Sequence, residues 1–343
     1  MNNTIAGVDL AKDSIQVCVY RKSKVRSNVE MTPRQFTNWL VETQPCIIVF
    51  EACGTSNYWK QKATQYGHDA RLISAKLVEA IRQNQKNDHN DALAIVQASL
   101  LPNVNFIVGK NITQQQLQST MRLRDLGIKH KVAIGNQLEA LLLEFNIRVS
   151  SRNGGLRGAV EASLEDAENV FSMDFRQAIS AAWQQYEHLI ETIEAYDSCL
   201  QKSIESNPDC SKLMKLEGVG FINAINLYNT LAYTETDNFA EGKDAAACIG
   251  VTPIQHSSGG KVKLGSIGKN TKNSLLRSQL ITGAFTFVNS VSKKEPKTKK
   301  EAWLKSLIER KGKKCAAVAL ANKTVRTAFA LIKNNTEYVA ESI

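Results

Sequence analysis

The chain has 343 residues, a net charge of +10 and 43% hydrophobic residues, which is typical of a soluble globular protein large enough for two or three domains. It has no run of eighteen apolar residues and no basic segment followed by an apolar one at its start, so neither a transmembrane helix nor a secretion signal is expected. Its seven cysteines are scattered, without a C-x-x-C pair. This pattern argues against a disulfide framework or a zinc site and favours a reducing cytoplasm.

The first third of the chain predicts alternating strands and helices. Residues 4–20 alternate apolar and polar side chains around an Ala-Lys-Asp turn, which predicts a β-hairpin. The apolar run 46–51 ends in Glu51 and is typical of a buried central strand. The elements expected next are a helix from Gly54 to about Tyr66, a strand at 69–73 and a helix from Lys76 to about Ser99. This order predicts an α/β domain that ends near residue 110.

Two long helices are predicted in the middle of the chain, at about 113–146 and 174–206, with a polar turn at 149–156 between them. Apolar residues of the second helix step alternately by four and three positions, which indicates a coiled coil. These residues are Phe175, Ile179, Ala182, Tyr186, Leu189, Ile193, Tyr196 and Leu200. The pattern leaves open whether the seam packs inside the chain as a helical hairpin or between two chains.

The last part of the chain, 211–343, is expected to be mostly helical, with a Gly/Ser/Lys loop at 257–273. Residues 261–343 hold 18 Lys and Arg against five Glu. A basic segment of this kind suggests a polyanionic partner, by default nucleic acid, although a solvated surface has the same composition.

A Gly-Val-Gly turn lies between predicted helical segments within residues 216–227. Such a turn exposes backbone N–H groups at a helix N-terminus, where Gly218 and Gly220 can lie against a DNA phosphate. It resembles a helix-hairpin-helix element. A plain turn between packed helices would have the same pattern.

Four acids occupy informative positions. Asp9 lies in the first strand of the hairpin and Glu51 at the end of the central strand, while Asp88 and Asp91 are three residues apart on a predicted helix and face the same side. Such acids can converge on hard divalent cations, Mg²⁺ or Mn²⁺, which can hold the attacking and leaving oxygens of a phosphoryl transfer. For the Asp88–Asp91 pair, a solvated helix face is the alternative.

Two serines, Ser257 and Ser258, precede a Gly-Gly pair. A serine can attack a phosphodiester and conserve the bond energy in a phosphoserine ester, provided that a base or a positive charge activates it. His256 is close in sequence and is one candidate for this activation. Lys261 and Lys263 are the other candidates for activation. Together with Lys269 and Lys272 they are also candidate nucleic-acid contacts. A flexible surface loop is the alternative interpretation.

Taken together, these motifs resemble the DEDD transposases of insertion sequences, the Piv/MooV group, which includes Piv-type DNA invertases and bridge-RNA-guided serine recombinases. The resemblance spans nearly the whole chain. The stretches that carry it are GVDLAKDS at 7–14, FEACGTSNYW at 50–59, KNDHNDALAI at 86–95, LEGVGFINA at 216–224, GVTPIQHSSGGKVKLGSIGKNTKNSLLR at 250–277 and KKCAAVALANKTVR at 313–326. One departure is Cys53, where the family usually has Thr or Ser.

The resemblance implies three regions: an α/β RuvC-like (RNase H-type) catalytic domain at 1–110, a helical coiled-coil region for oligomerisation at 111–210, and a mostly α-helical C-terminal transposase domain at 211–343. It implies that Asp9, Glu51, Asp88 and Asp91 bind Mg²⁺ or Mn²⁺. The family's nucleophilic serine precedes a glycine, which places it on Ser258, with Ser257 as the neighbour that could be confused with it.

Expected partners are DNA, a structured non-coding RNA, and further copies of the chain in a dimer or tetramer, with the acids of one subunit acting with the serine of another. No membrane is involved, and the expected location is the bacterial cytoplasm, at the nucleoid. Four alternatives stay open: a RuvC-like nuclease that hydrolyses DNA with water, a Piv-type invertase without an RNA guide, a non-catalytic nucleic-acid-binding protein, and an actin-like phosphotransferase.

Overall fold

The computed structural model describes residues 4–232, 239–267 and 274–343. The candidate contacts Lys269 and Lys272 lie outside the described residues. The chain divides into two compact units. One comprises the described residues up to Gln114 together with those of Thr230–Ala245, and the other comprises Gln115–Asn229 together with the described residues of Ala246–Ile343.

The first unit is built on a five-stranded mixed sheet. Its strands are β1 (Ile5–Leu10), β2 (Ile15–Arg21), β3 (Lys24–Met31), β4 (Ile47–Glu51) and β5 (Asp69–Ile73), in the order β3-β2-β1-β4-β5. β1 is antiparallel to β2 and parallel to β4, and β4 is parallel to β5. The predicted hairpin and both predicted strands are present. The sequence pattern does not predict β3, because this edge strand is mostly polar and exposed.

Helices cover both faces of this sheet. They are α1 (Pro33–Glu42), α2 (Ser56–Gln65), α3 (Ala75–Ile81) and α4 (Asp88–Ser99). On one face, Val8 and Val17 pack with Phe36 of α1 and Trp59 of α2. On the other face, buried side chains of β4 and β5 pack with α3 and α4, and Cys18 of β2 packs with α4. Because strand side chains alternate between faces, every second residue of β1 faces α4.

The single helix expected from Lys76 to Ser99 is wrong, because two helices separated by a polar connection occupy this stretch. α3 ends at Arg82, whose φ of −61° and ψ of 116° are non-helical. Asn87 then caps α4, accepting a hydrogen bond from the backbone N–H of Asn90 at 2.8 Å. The intervening residues are polar and exposed, so no buried stripe continues the first helix into the second.

The rest of the chain is mainly helical. Its helices are α5 (Ile112–Glu144), α6 (Gly155–Glu165), α7 (Met173–Glu205), α8 (Pro208–Leu213), α9 (Phe221–Leu231), α10 (Gly242–Ile249), α11 (Ser274–Val291) and α12 (Lys299–Lys333), and the last is interrupted at Gly312. Within the described residues, α12 is long and apolar enough to span a membrane by length and composition alone. Its apolar side chains include Leu320, Val325 and Leu331, which are buried in the protein.

The predicted heptad seam of α7 packs, at least in part, inside the chain. Gly127 of α5 lies against Ile193, and Gly135 lies against Tyr186, so the two helices run antiparallel. Arg124 of α5 also pairs with Asp197 of α7. A helical hairpin therefore uses this seam. Whether a second chain also pairs with it stays a prediction.

The loop expected at 257–273 is wrong over its described residues, because they continue a β-hairpin. β6 (Pro253–Ser258) and β7 (Lys261–Ile267) pair antiparallel across Gly259 and Gly260. Both glycines have positive φ, 56° and 75°, as a tight two-residue hairpin turn requires. The exposed, mostly polar residues conceal the strand pattern, since neither face of this hairpin is buried.

Candidate active site

Asp9 and Glu51 lie on neighbouring strands and on the same face of the sheet. Val8 of β1 pairs with Phe50 of β4, so the residues that follow them, Asp9 and Glu51, lie side by side at the carboxyl ends of the two parallel strands. Glu51 is two residues beyond Val49, whose side chain packs with α4. By the alternation of strand side chains, both carboxylates face α4.

Gly7 allows α4 to approach this face. A Cβ atom at Gly7 would lie 2.5 Å from the backbone oxygen of Ala92 and 2.7 Å from Cγ2 of Val96. Gly7 is two residues from Asp9, and Ala92 follows Asp91, so their contact brings the beginning of α4 to the acid end of β1. Close packing at a residue without a side chain therefore sets the position of Asp88 and Asp91 relative to the strand acids.

Two side-chain amides, the buried Gln16 and the half-buried Asn28, hold the beginning of α4 on the sheet. Gln16, opposite Asp9 in the β1–β2 register, donates from Nε2 to Oδ1 of Asn28 at 2.7 Å. Asn28 of β3 in turn donates from Nδ2 to the backbone oxygen of His89 at 2.9 Å. His89 lies between Asp88 and Asp91. Residues of the second and third strands thus position the helical pair of acids, and sequence reasoning missed both amides because nothing local distinguishes them.

The four carboxylates share one region of negative potential. Burial raises the pKa of Asp9, and the charges of Asp88 and Asp91 raise it further. Burial likewise raises the pKa of Glu51, and the charges of Asp9 and Asp91 add to this effect. Asp91 is buried and Asp88 is exposed at the first residue of α4. The four predicted acids therefore lie close enough for the charge of Asp9 to interact with the charges of the other three.

Two cations from the connection between α3 and α4 face these acids. Arg82 donates from Nη1 to Oδ1 of Asp91 at 2.8 Å. Lys86 lowers the pKa of both Asp9 and Glu51, although burial and the neighbouring acids outweigh it. Sequence reasoning missed both residues as site components. Lys86 begins the motif KNDHNDALAI and could have been found there, whereas Arg82 lies outside every motif.

The donor set fits a hard divalent cation, because it consists of carboxylate oxygens whose charge is incompletely neutralised. Burial, followed by the charges of neighbouring acids, raises the pKa values of Asp9 and Glu51, and a bound divalent cation would offset both effects. Among the described residues, no three His, Cys, Asp or Glu side chains converge closely enough to hold an ion as they stand. Asp91 instead pairs with Arg82.

The serine hairpin separates its two serines onto different faces. Ser258 pairs directly with Lys261, and His256 pairs with Lys263, so these four side chains share one face of the β6–β7 hairpin. Ser257 pairs with Val262 on the other face and accepts a hydrogen bond from Nε2 of Gln255 at 2.9 Å.

The base of this hairpin is anchored on α12. Nδ2 of Asn322 donates to the backbone oxygen of Val251 at 3.2 Å and lies 3.2 Å from the Thr252 hydroxyl. Val251 itself is buried. Asn322 belongs to the quoted stretch KKCAAVALANKTVR, so this motif supports the hairpin from a distant part of the chain.

The two glycines of the turn before α9 have different surroundings. A Cβ atom on Gly218 would lie 2.8 Å from the backbone oxygen of Gly283 in α11, so this glycine permits close helix packing. Gly220 has open space around it, and its backbone oxygen accepts the hydrogen bond from Ala224 that begins α9. Of the two, Gly220 alone is placed as an exposed helix N-terminus requires.

Two family models match the chain. A transposase model of the DEDD type for IS110 elements matches residues 6–147, which contain all four acids. A model described as the transposase IS116/IS110/IS902 family matches residues 210–301, which contain Ser258.

Individual proteins are similar over nearly the full length. The chain is 32% identical to the transposase for insertion sequence element IS1111A of Coxiella burnetii, over 97% of this chain and 91% of that protein. It is 31% identical to a probable family 20 transposase of Pseudomonas aeruginosa, over 98% and 99% of the two chains. It is 27% identical to the transposase for IS1328 of Yersinia enterocolitica, again over 98% and 99%.

Proposed function

The chain belongs to the IS116/IS110/IS902 family of insertion-sequence transposases and is an enzyme of DNA transposition, and from this premise we propose that it breaks and rejoins DNA strands through a covalent phosphoserine bond at Ser258. The observation that carries the choice of residue is the register of β6 and β7, which aligns Ser258 with Lys261 on a basic face. Ser257 lies on the other face. A cationic face favours the approach of a phosphodiester to the Ser258 hydroxyl.

In the proposed reaction, Oγ of Ser258 attacks the scissile phosphorus, and one phosphorus–oxygen bond of the DNA backbone breaks. The serine proton passes to a base, for which His256 on the same face is the candidate, and the leaving strand oxygen takes up a proton to become a free hydroxyl. The hydroxyl of another strand then attacks the phosphoserine and releases the serine. Each step exchanges one phosphoester for another, so no high-energy cofactor is needed.

The carboxylates Asp9, Glu51, Asp88 and Asp91 are the proposed ligands of Mg²⁺ or Mn²⁺. A bound divalent cation would neutralise the scissile phosphate and stabilise the charge that develops on its oxygens. The shared negative potential of the four acids supports this assignment. A RuvC-like fold for the first region is part of this proposal, and the position of the acids at one end of a mixed sheet covered by α4 supports it.

Several finer features belong to the same proposal. The three regions are 1–110, 111–210 and 211–343. The chain acts as a dimer or tetramer in the bacterial cytoplasm. A structured non-coding RNA guides the choice of DNA. The resemblance to bridge-RNA-guided recombinases supports the oligomeric state and the RNA guidance. Gly220 and the basic residues Lys261 and Lys263 are proposed nucleic-acid contacts, as are Lys269 and Lys272, whereas the packing of Gly218 against Gly283 removes Gly218 from this set. Sequencing the RNA that co-purifies with the chain tests guidance, and a sample without a discrete RNA contradicts it.

A hydrolytic nuclease is the second candidate, and one observation favours it. All four acids belong to the first unit, whereas Ser258 belongs to the second, so the acids do not depend on the serine for their arrangement. Water would then replace the serine as nucleophile. Invertase and transposase activity differ in their DNA products, which sequencing of the rearranged joints distinguishes.

Recovery of covalent protein–DNA adducts separates the serine mechanism from hydrolysis. Cells carrying a plasmid-borne element would express the wild-type chain, Ser258→Ala, or the matched control Ser257→Ala, and DNA bound to denatured protein would be recovered. Adducts are expected with the wild type and Ser257→Ala and none with Ser258→Ala. Recombination by Ser258→Ala would refute the serine role, and loss only with Ser257→Ala would transfer the role to that residue.

The acids are tested by Asp88→Ala, which leaves the basic residues intact. This variant should lose metal-dependent cleavage while it retains DNA and RNA binding, because Lys and Arg elsewhere supply the attraction to phosphate. Cleavage by the wild-type protein in excess chelator would contradict the metal assignment.

A further inference from the structure

Arg82 already satisfies one of the proposed metal ligands. Asp91 is 7% exposed, and its Oδ1 accepts a hydrogen bond from Nη1 of Arg82 at 2.8 Å. The Arg82 side chain is 19% exposed and the Asp91 side chain 9%. A carboxylate this far from water requires a cation or several hydrogen-bond donors, because an unpaired buried charge is costly. Arg82 therefore serves as its counter-ion.

The position of Arg82 in the fold allows it to leave Asp91 without disturbing a helix. Arg82 is the residue at which α3 ends, and the residues after it are exposed until α4 begins. Its charge also acts on Glu51, and Lys86 of the same connection acts on Asp9 and Glu51. The connection 82–87 thus supplies two cations that oppose the acid cluster, Arg82 and Lys86.

A guanidinium and a divalent cation compete for the carboxylate of Asp91. Both carry positive charge and both seek the carboxylate oxygens, so occupancy by one weakens occupancy by the other. Resting on the proposed metal site, we propose that Arg82 is the resident counter-ion of Asp91, that an incoming Mg²⁺ or Mn²⁺ displaces it, and that the released guanidinium binds the DNA phosphate at the site. The planar guanidinium suits the last role, because it donates two parallel hydrogen bonds to a phosphate.

This exchange predicts opposite effects on metal binding and on transposition. Removal of Arg82 eliminates the competitor for Asp91, so Mn²⁺ should bind more tightly. It also eliminates a phosphate contact, so transposition should fall. A merely structural role for Arg82 would weaken both, because a distorted acid cluster binds metal poorly and catalyses poorly.

The experiment measures Mn²⁺ binding to the full-length chain by electron paramagnetic resonance of the free ion, together with transposition of a plasmid-borne element. Arg82→Ala is expected to bind Mn²⁺ roughly tenfold more tightly than the wild type, the scale on which a neighbouring unit charge alters a carboxylate's affinity for a proton. Arg82→Lys should lie between the two in both assays. The matched control is Arg71→Ala, which breaks an arginine–aspartate pair with Asp69 away from the acids and should change neither.

Unchanged or weaker Mn²⁺ binding by Arg82→Ala would overturn the exchange, and so would full transposition by this variant. If Arg82→Ala fails to fold, the intermediate values expected of Arg82→Lys decide the question in the same way. A wild-type chain that binds no Mn²⁺ would instead refute the metal site of the proposed function, and the exchange with it. If the wild type binds Mn²⁺ but the Arg82 variants bind it no more tightly, the exchange is refuted and the proposed metal site is not.

Discussion

The carboxylates Asp9 and Glu51 lie on a sheet face that α4 covers, whereas Ser258 lies on a two-stranded hairpin whose residues are almost all exposed. Packing and side-chain hydrogen bonds position the acids, and close approach at Gly7 is part of that packing. The serine is positioned by strand register, with one anchor at the base of the hairpin. The mutually repelling acids are held by a packed scaffold, whereas the hairpin presents the proposed nucleophile, Ser258, on an exposed surface.

The largest effect is expected from Gly7→Ala, which tests whether close packing holds the acid cluster. The new Cβ would meet the backbone oxygen of Ala92. A backbone atom cannot rotate away as the end of a side chain can, so α4 must shift. We expect the free energy of unfolding to fall by about 3 kcal/mol. Denaturant unfolding in chelator measures this loss. The control is Gly54→Ala, where a Cβ meets open space, and a loss of similar size in both variants would contradict the role of Gly7.

A smaller loss is expected from Asn28→Ala, which removes the link between β3 and the beginning of α4. The Gln16 amide loses its acceptor and the His89 carbonyl loses its donor. Losing these two hydrogen bonds, each worth about 1 kcal/mol, should cost about 2 kcal/mol and should also weaken Mn²⁺ binding. Thermal unfolding and ion titration provide the measurements. Ser27→Ala, on the other face of β3, is the control, and equal Mn²⁺ affinity in both variants would show that Asn28 does not position the acids.

A substitution in the β6–β7 hairpin should affect activity without affecting global stability, unlike the substitutions near the acids. Gly260→Ala places a Cβ at a positive φ of 75° and should cost about 1 kcal/mol of local strain. We expect fewer covalent adducts but an unchanged melting temperature, because the hairpin buries no side chains on either face. Gly265→Ala in β7 has no such φ and serves as the control. A drop in global stability would show that the hairpin is part of a packed core.

The smallest effect concerns pH in the absence of metal. The pKa values of Asp9 and Glu51 lie above their usual 3.8 and 4.5, so the folded chain binds more protons than the unfolded chain between the usual and the raised values. The contribution of these groups to stability therefore falls as pH rises through that window. Asp9→Asn should be more stable than the wild type at pH 7 in chelator. The difference in the free energy of unfolding should vanish as the pH falls to 3.8, the usual pKa of an aspartate. A wild type that is more stable at pH 7 would contradict this sign.

Much of the fold of the first unit followed from local pattern, whereas the assignment of the four acids as metal ligands rests on the family resemblance and stays a prediction. Alternation predicted the hairpin that holds Asp9, and an apolar run ending in an acid predicted the strand of Glu51. Periodicity failed at β3, at the 82–87 break and at the serine hairpin, because exposed or mostly polar residues leave no buried stripe to detect. α1 and α6 were also absent from the predicted elements.

The sequence by itself determined which chemistry the chain carries, since carboxylate, hydroxyl and cationic side chains at these positions have fixed chemical properties. Only the tertiary structure decided which of them meet. Arg82 pairs with Asp91, Asn28 supports His89, and Gly218 packs on Gly283 through contacts between residues that no local pattern relates. The physical reason is that periodicity reports which face of a segment is buried, whereas the partner buried against it depends on how distant segments pack.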